Sequence, residues 1–302
     1  MKTVIIILGP TAVGKTSAAI KLAEHFQTEI ISADSRQCFK ELNIGVARPS
    51  QKQLKMVKHH FIASHSIQEN VRAGIFARFA LEKTKELFQH HDVVIMTGGT
   101  GLYIKAFCDG MDEIPEVPSD IRRQFVAQYE KNGIQWLQQQ IEVKDPKFFQ
   151  QGEIQNPQRL LRALEVIEST GKSILEFHKH EKRQRDFNIV KIGLELSKEE
   201  LHRNIDARVA NMIEEGLVDE VKKLLPYRNL NALQTVGYAE IFDFFEGKVS
   251  LDHAVDVIKR NTRQYAKRQM TWFKKDKAIT WINPANDIII ELAENVKRKI
   301  ST

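Results

Sequence analysis

Two cysteines, Cys38 and Cys108, are all that the 302 residues contain. That excludes a disulfide framework and leaves no thiolate cluster for a structural metal. No stretch approaches the ~20 consecutive apolar residues of a membrane-spanning helix. The apolar run near the start, Val4 to Leu8, is five residues long, too short for the core of a secretory signal. His59 and His60 stand side by side with no second cluster to complete a metal site, so a structural or substrate-lining role is expected of them. Charge of one sign is in modest excess: the net charge is +6 and the pI about 9.1. That basicity permits a nucleic-acid partner without requiring one. A hydrophobic share of 42% is ordinary for a globular chain. The length gives room for one large domain or two smaller ones, each with its own core. A cytoplasmic enzyme is the expectation.

What is present begins at Val4. The apolar run breaks at Gly9-Pro10, and Gly14-Lys15-Thr16 opens an amphipathic segment from Ser17 to Phe26. Strand, glycine-bounded loop and helix follow one another with the spacing G-x-x-x-x-G-K-[ST] of a P-loop. The glycines let the backbone turn several N–H groups toward one anion, and the helix N-terminus adds a favourable dipole. Lys15 is placed to reach a terminal phosphate, and the Thr16 hydroxyl to ligate Mg²⁺. The motif implies a diphosphate or triphosphate without specifying a nucleotide.

The chain then alternates helix and strand. Glu29 to Ser32 reads as a second buried strand, ending in Asp34-Ser35-Arg36-Gln37, and Asn43 to Pro49 reads as a loop. Residues 71–90 form an amphipathic helix, and Asp92 to Met96 is a strand running into Thr97-Gly98-Gly99-Thr100-Gly101. A nucleotide-hydrolysing P-loop protein places an Mg²⁺-holding Asp at the end of an apolar strand; here that strand ends without an acid. The comparable acid is Asp34, after a different strand. It is either a cap or turn former, or a catalytic or metal-binding carboxylate at the sheet edge where ligands sit. This pattern weighs against an ATPase and leaves a small-molecule kinase open.

From about Met111 to Asn188 the texture is helical, polar and glutamine-rich, which predicts a helical insertion between the halves of an α/β core. Within it, Asn156-Pro157 opens a helix that Gly171 closes. At about 100° per residue, Leu160, Ala163, Leu164 and Ile167 share one face. Gln158, Arg162 and Glu165 point the other way, with Arg159 on the flank; that polar face is either solvated or fitted to a nucleic-acid backbone. The core resumes with the strand Ile189 to Leu196. In the helix from about Lys198 to Glu215, Arg208 falls within about 60° of the centre of an apolar stripe. Its partner is either a structural carboxylate or a phosphate oxygen. Between Ala254 and Lys277 the wheel puts Ala254, Ile258, Tyr265 and Trp272 on one face. Arg260, Arg263, Lys267 and Lys274 lie on the opposite face, a nearly one-signed stripe that suits a polyanion. An edge strand, Ala278 to Ile282, and a final helix complete the prediction.

The resulting fold class is α/β: a P-loop NTPase-like core with a parallel sheet flanked by helices, plus an all-helical insertion domain. Core residues are 1–112 and 189–302, the second part carrying basic C-terminal helices, and the insertion is 113–188. Two function classes fit: a small-molecule phosphotransferase, or an enzyme acting on RNA with a diphosphate-bearing donor. The missing strand-end acid and the basic stripe favour the second.

Nearly the whole chain resembles the tRNA dimethylallyltransferases, also called isopentenyltransferases. The landmarks are GPTAVGKT (Gly9 to Thr16), SADSRQ (Ser32 to Gln37), IGVARP (Ile44 to Pro49) and GGTGLY (Gly98 to Tyr103). NPQRLLRALEV (Asn156 to Val166), QTVGYAE (Gln234 to Glu240) and TRQYAKRQMTWF (Thr262 to Phe273) follow in order. The resemblance implies transfer of a dimethylallyl group from dimethylallyl diphosphate to N6 of adenosine 37, next to the anticodon, in tRNAs reading codons that begin with U. It implies that Gly9, Pro10, Thr11, Ala12, Val13, Gly14, Lys15, Thr16 and Arg208 bind diphosphate, with Mg²⁺ on Thr16. Asp34, Lys15 and Thr100 would be catalytic, Asp34 as the base and Thr100 positioning the adenine. The tRNA anticodon stem-loop would meet Asp34, Ser35, Arg36, Gln37, Thr100, Arg122, Gln158, Arg159, Leu160, Leu161, Arg162, Arg263 and Lys267. A monomer with no membrane association is implied. Relatives that prenylate free adenine nucleotides share the core, but the insertion and the basic helix speak for tRNA. Lys58, Asn204 and Phe39 depart from the family's usual proline, arginine and tyrosine.

Overall fold

Val4 to Leu8 are all buried, at no more than 1% exposure, as a strand covered by helices on both faces must be. Each such Ile or Leu contributes about 1.5–3 kcal/mol. The computed structural model describes residues 2–178, 183–284, 289–291 and 293–295. In chain order the elements begin with β1 (Thr3–Leu8), α1 (Lys15–His25), β2 (Ile30–Ser32), α2 (Gln51–Met56), β3 (His59–His60), α3 (Ala73–Leu87), β4 (Val93–Gly98) and α4 (Gly101–Asp109). Three helices follow: α5 (Ser119–Lys144), α6 (Pro146–Gln151) and α7 (Pro157–Thr170). The remainder is β5 (Asn188–Leu194), α8 (Lys198–Glu214), α9 (Leu217–Leu224), α10 (Ala239–Phe245), α11 (Leu251–Phe273) and β6 (Ile279–Ile282). The predicted C-terminal helix lies partly outside the described residues.

The six strands form one sheet in the order β3-β2-β4-β1-β5-β6, every pair parallel. Alternate β1 side chains enter two cores. Val4, Ile6 and Leu8 pack with residues of α3, α4 and α8 to α11, and Ile5 and Ile7 pack with α1. Leu8 pairs with Gly98, and Ser32 with Thr97. The loops after β1, β2 and β4 therefore leave the same sheet edge at the same level, which brings together motifs far apart in sequence.

Two compact units divide the chain: residues 1–108 with 184–302, and residues 109–183. The second unit begins four residues before the predicted 113 and ends five residues before the predicted 188. At its start, α4 already ends at Asp109. At its end, Arg185 is tied to the sheet-bearing unit before β5 begins, donating from Nε to the Phe107 carbonyl at 2.9 Å.

Within the 109–183 unit, α7 is capped as predicted: Asn156 Oδ1 accepts from the Gln158 and Arg159 amides, and Gly171 closes the helix at φ 68°. Its faces differ from the helical-wheel reading. Leu160 and Leu161 are both in the core, at 0% and 1% exposure, so their side chains are not available to RNA. Glu165, expected outward, is 2% exposed and held by Arg122 at 2.6 Å and Arg162 at 3.3 Å. A buried carboxylate requires such partners. Arg122 and Arg162 are therefore committed to this unit's own charge balance, whereas Gln158 and Arg159 are exposed.

The buried side of α11 is Ala254, Ile258, Ala266, Gln269 and Phe273. Tyr265 and Trp272, expected with them, are 37% and 39% exposed. Trp272 stands 18 residues, five full turns, from Ala254 and shares its helical angle, yet Ala254 is 1% exposed; what packs against each end of α11 sets the difference. The basic stripe is also less one-signed than it reads. Arg263 Nη2 donates to both Asp206 oxygens, at 2.5 and 2.6 Å, and Lys274 pairs with Glu195 at 2.5 Å.

Candidate active site

The loop between β1 and α1 holds three residues at positive φ, Gly9, Ala12 and Gly14. Gly9 has φ 145°, and a Cβ there would lie 2.6 Å from the Leu194 carbonyl oxygen of β5. Ala12 holds φ 64°, a left-handed conformation that costs a non-glycine residue about 1–3 kcal/mol and that recurs at ligand-binding loops. Gly14, the N-cap of α1, follows at φ 98°. Three positive φ angles between Gly9 and Gly14 give the loop before α1 the tight curvature that an anion cradle needs.

Three cationic or polar side chains close that cradle. Lys15 Nζ donates to the Pro10 carbonyl at 2.7 Å. Burial, and then the neighbouring Arg208 charge, push its ammonium down to about 7, with Asp34 pulling the other way. Arg208 Nη1 donates to Thr11 Oγ1 at 3.1 Å; burial lowers its pKa too, again opposed by Asp34. Asn204 Nδ2 reaches the Ala12 carbonyl at 3.2 Å. Two cations crowded into a desolvated pocket are an arrangement that an anion would relieve.

Across the same cavity, in the loop after β2, is Asp34. Its Oδ1 accepts from the Arg36 and Gln37 amides at 2.9 and 3.2 Å, an Asx turn. The two readings left open for Asp34 are therefore compatible, because only one oxygen forms the turn. Oδ2 makes no hydrogen bond among the described residues. Thr100 supports this turn from the loop after β4: its amide donates to the Ala33 carbonyl at 3.3 Å, and its Oγ1 accepts from the Ser35 amide at 3.0 Å.

Two cavities meet at Asp34. One, about 360 Å³, holds Lys15, Thr16, Ser32, Gln37 and Thr97 in its wall. The other, about 540 Å³, is lined by Val46, Val209, Met212, Val236 and Ile258 together with polar and charged side chains, among them Arg36, Gln234, Glu240 and Arg268. Thr11, Asp34, Arg208 and Tyr265 border both. An anion held in the first and an acceptor in the second would meet beside a carboxylate able to take a proton.

For Mg²⁺ the relevant donor is the Thr16 hydroxyl, which borders the first cavity and makes no side-chain hydrogen bond among the described residues. No group of three or more His, Cys, Asp or Glu gathers into a metal cage among those residues. Mg²⁺ is commonly held by one or two protein oxygens plus substrate phosphates, so this donor set fits an ion that arrives with a diphosphate.

Among the sequence-assigned residues, the structure brings together the Gly9 to Thr16 loop, Arg208, Asp34 and Thr100. Arg36 and Gln37 lie beside Asp34 but spend their side chains on the backbone, Arg36 on the Asn231 carbonyl and Gln37 on those of Val46 and Ala47. Arg263 and Lys267 lie elsewhere on α11; Lys267 is exposed. The paired histidines are structural: His59 Nδ1 bonds the Val57 carbonyl, and His60 Nε2 meets Glu29 at 2.5 Å. Sequence reasoning missed Gln269 and Glu220. Glu220 accepts from the Ile44 and Gly45 amides and from the Tyr238 hydroxyl, fixing the Asn43 to Pro49 loop against the cavities. A legible signal existed for Gln269 alone, an amide on a helix face otherwise buried, which must find partners.

The family model described as IPP transferase matches residues 37–276. The chain is 49% identical over 275 residues to a tRNA dimethylallyltransferase of Christiangramia forsetii, covering 91% of each. It is 44% identical over 309 residues to one of Flavobacterium johnsoniae, covering 99% of this chain and 100% of that relative. Among solved structures, the full-length tRNA isopentenylpyrophosphate transferase of Bacillus halodurans matches with a TM-score of 0.73 at 33% identity. That match spans 100% of this chain and 97% of the other. With the family model matched over residues 37–276 and these relatives aligned over nearly its full length, the chain belongs to the IPP transferase family.

Proposed function

We propose that this protein transfers a dimethylallyl group from dimethylallyl diphosphate to the exocyclic N6 of adenosine 37 in tRNAs reading codons that begin with U. The observation that carries this reading is Asp34, set between a cationic cradle and a second cavity of mixed apolar and polar lining, with one carboxylate oxygen unused. As N6 bonds to the prenyl carbon, the carbon–oxygen bond to diphosphate breaks and the electron pair leaves with the diphosphate. The N6 proton passes to Asp34. An adenine N6 is a weak nucleophile because its lone pair is delocalised, so proton removal during attack lowers the barrier.

Charge builds on the leaving diphosphate, and Lys15, Arg208 and the amides of Ala12 to Thr16 are the groups to offset it. Thr16 would hold Mg²⁺, which supplies further neutralisation of that charge. Thr100 keeps Ser35, and with it the Asp34 turn, in place. An adenine stacked in an anticodon loop cannot reach such a site, so the base must be flipped out. Exposed Gln158, Arg159 and Lys267 are the side chains we assign to tRNA contact, with Ser35 at the rim of the second cavity.

Kinase chemistry and prenylation of free adenine nucleotides are the alternatives, and one assay separates them. Labelled dimethylallyl diphosphate is offered with Mg²⁺ to unmodified tRNA and to AMP, using the parent and Asp34→Asn. An asparagine keeps the Oδ1 acceptor of the turn but cannot take the proton, so kcat should fall about 10²–10⁴-fold with an unchanged Tm. Label in AMP instead of tRNA, or full activity in the Asn variant, would overturn the assignment.

A further inference from the structure

We infer that Gln269 is a positioning residue that couples the diphosphate cradle to the Asp34 side of the site, an assignment that rests on the function proposed above. Its side chain is 7% exposed and reaches inward from α11. Oε1 accepts from the Thr11 amide at 2.8 Å, and Nε2 donates to the Gly99 carbonyl at 2.9 Å. The orientation of the amide is unambiguous, since a backbone N–H needs the oxygen and a backbone C=O needs the NH₂. A planar amide held at both ends fixes the spacing between the loop after β1 and the turn after β4. These loops share no direct side-chain hydrogen bond of their own among the described residues.

What each end controls is specific. Thr11 carries the hydroxyl that anchors Arg208, so the first end sets where the cradle's arginine lies. Gly99 precedes Thr100, whose amide and hydroxyl hold Ala33 and Ser35 on either side of Asp34. The second end therefore sets where the base lies. Gly99 provides the room: a Cβ there would come within 2.2 Å of Nε2. Gln269 also occupies the Thr11 N–H, which directs anion binding to the amides that follow it.

Two substitutions test this. Gln269→Met conserves volume and removes both hydrogen bonds; Gln269→Asn keeps the amide but is one methylene too short to span both partners. Steady-state transfer to tRNA and binding of inorganic pyrophosphate with Mg²⁺ by calorimetry are measured on the full chain. Positioning predicts at least a tenfold loss of kcat in both variants, with KM for tRNA within threefold of the parent. Pyrophosphate affinity falls at least threefold. Combining Gln269→Met with Thr100→Val should cost no more than the worse single change, because both act through the same turn. A packing role predicts a near-normal Met variant, so kcat and pyrophosphate affinity both within twofold of the parent would overturn the inference, as would fully multiplicative losses in the double variant. Failure of the parent to prenylate tRNA would count against the functional reading instead, and the pyrophosphate arm would still test the coupling.

Discussion

Affinity for a prenyl diphosphate should fall on the order of fiftyfold between pH 7 and pH 9, because burial and Arg208 hold the Lys15 ammonium down to about 7 in the ligand-free site. The sign follows from proton counting. Above pH 7 the free site has lost the Lys15 proton, while a bound diphosphate stabilises the ammonium beside it, so binding takes a proton up and alkali opposes it. The ligand does not titrate across this window, since a terminal phosphate has a second pKa of about 6. The free lysine is about half protonated at pH 7 and about one-hundredth protonated at pH 9. That ratio corresponds to roughly 2.3 kcal/mol at about 1.36 kcal/mol per pH unit. Calorimetry at pH 8.5 in two buffers of different ionisation heat should register an uptake close to one proton. Lys15→Met should bind weakly and show a flat profile. Arg208→Met removes a like charge, so the onset of the decline should move to higher pH. An affinity independent of pH in the parent, or an equal slope in the Lys15→Met variant, would refute the reasoning.

Other outcomes follow from the same geometry. Replacing both Arg122 and Arg162 by Ala leaves Glu165 buried without a partner and should destabilise the 109–183 unit by about 3–5 kcal/mol, read as a lowered Tm and protease sensitivity before any change in tRNA affinity. Lys267→Ala should reduce the slope of log affinity for tRNA against log salt by about 1. Arg263→Ala should leave that slope unchanged and cost only about 0.2–1 kcal/mol of stability, since Asp206 already occupies its guanidinium. Gly98→Ala would drive a Cβ to 2.1 Å from the Ala33 carbonyl oxygen; a backbone neighbour cannot turn aside, so Tm and kcat should both drop.

The features legible in the residues share one property: each depends on its near neighbours in the chain. The Gly9 to Thr16 loop needs a strand, two bounding glycines and a helix start, all within a few residues. Asn156, Pro157 and Gly171 bound α7 through local hydrogen bonds and backbone preferences. The central strands follow from apolar runs too continuous for any exposed face. Arg208 could be directed inward because its angle to the apolar stripe of its own helix is set by helix geometry alone.

Tertiary structure decided everything that depends on what faces a helix from outside. A helical wheel gives an angle about one axis and says nothing of the neighbouring surface, so it turned Glu165 outward although Arg122, on a different helix, holds it in the core. The wheel likewise could not tell that Asp206 meets Arg263, or that Tyr265 and Trp272 stay part-exposed at an angle where Ala254 and Ile258 are covered. Gln269 bonds Thr11 across 258 residues of chain, a contact made only when the parallel order of strands brings three loops to one edge. The candidate site residues were legible locally, in the Gly9 to Thr16 loop and in Asp34. The gathering of Lys15, Arg208 and Asp34 around adjoining cavities is a product of long-range packing, because hydrogen bonds between distant segments acquire their partners only once the sheet has formed.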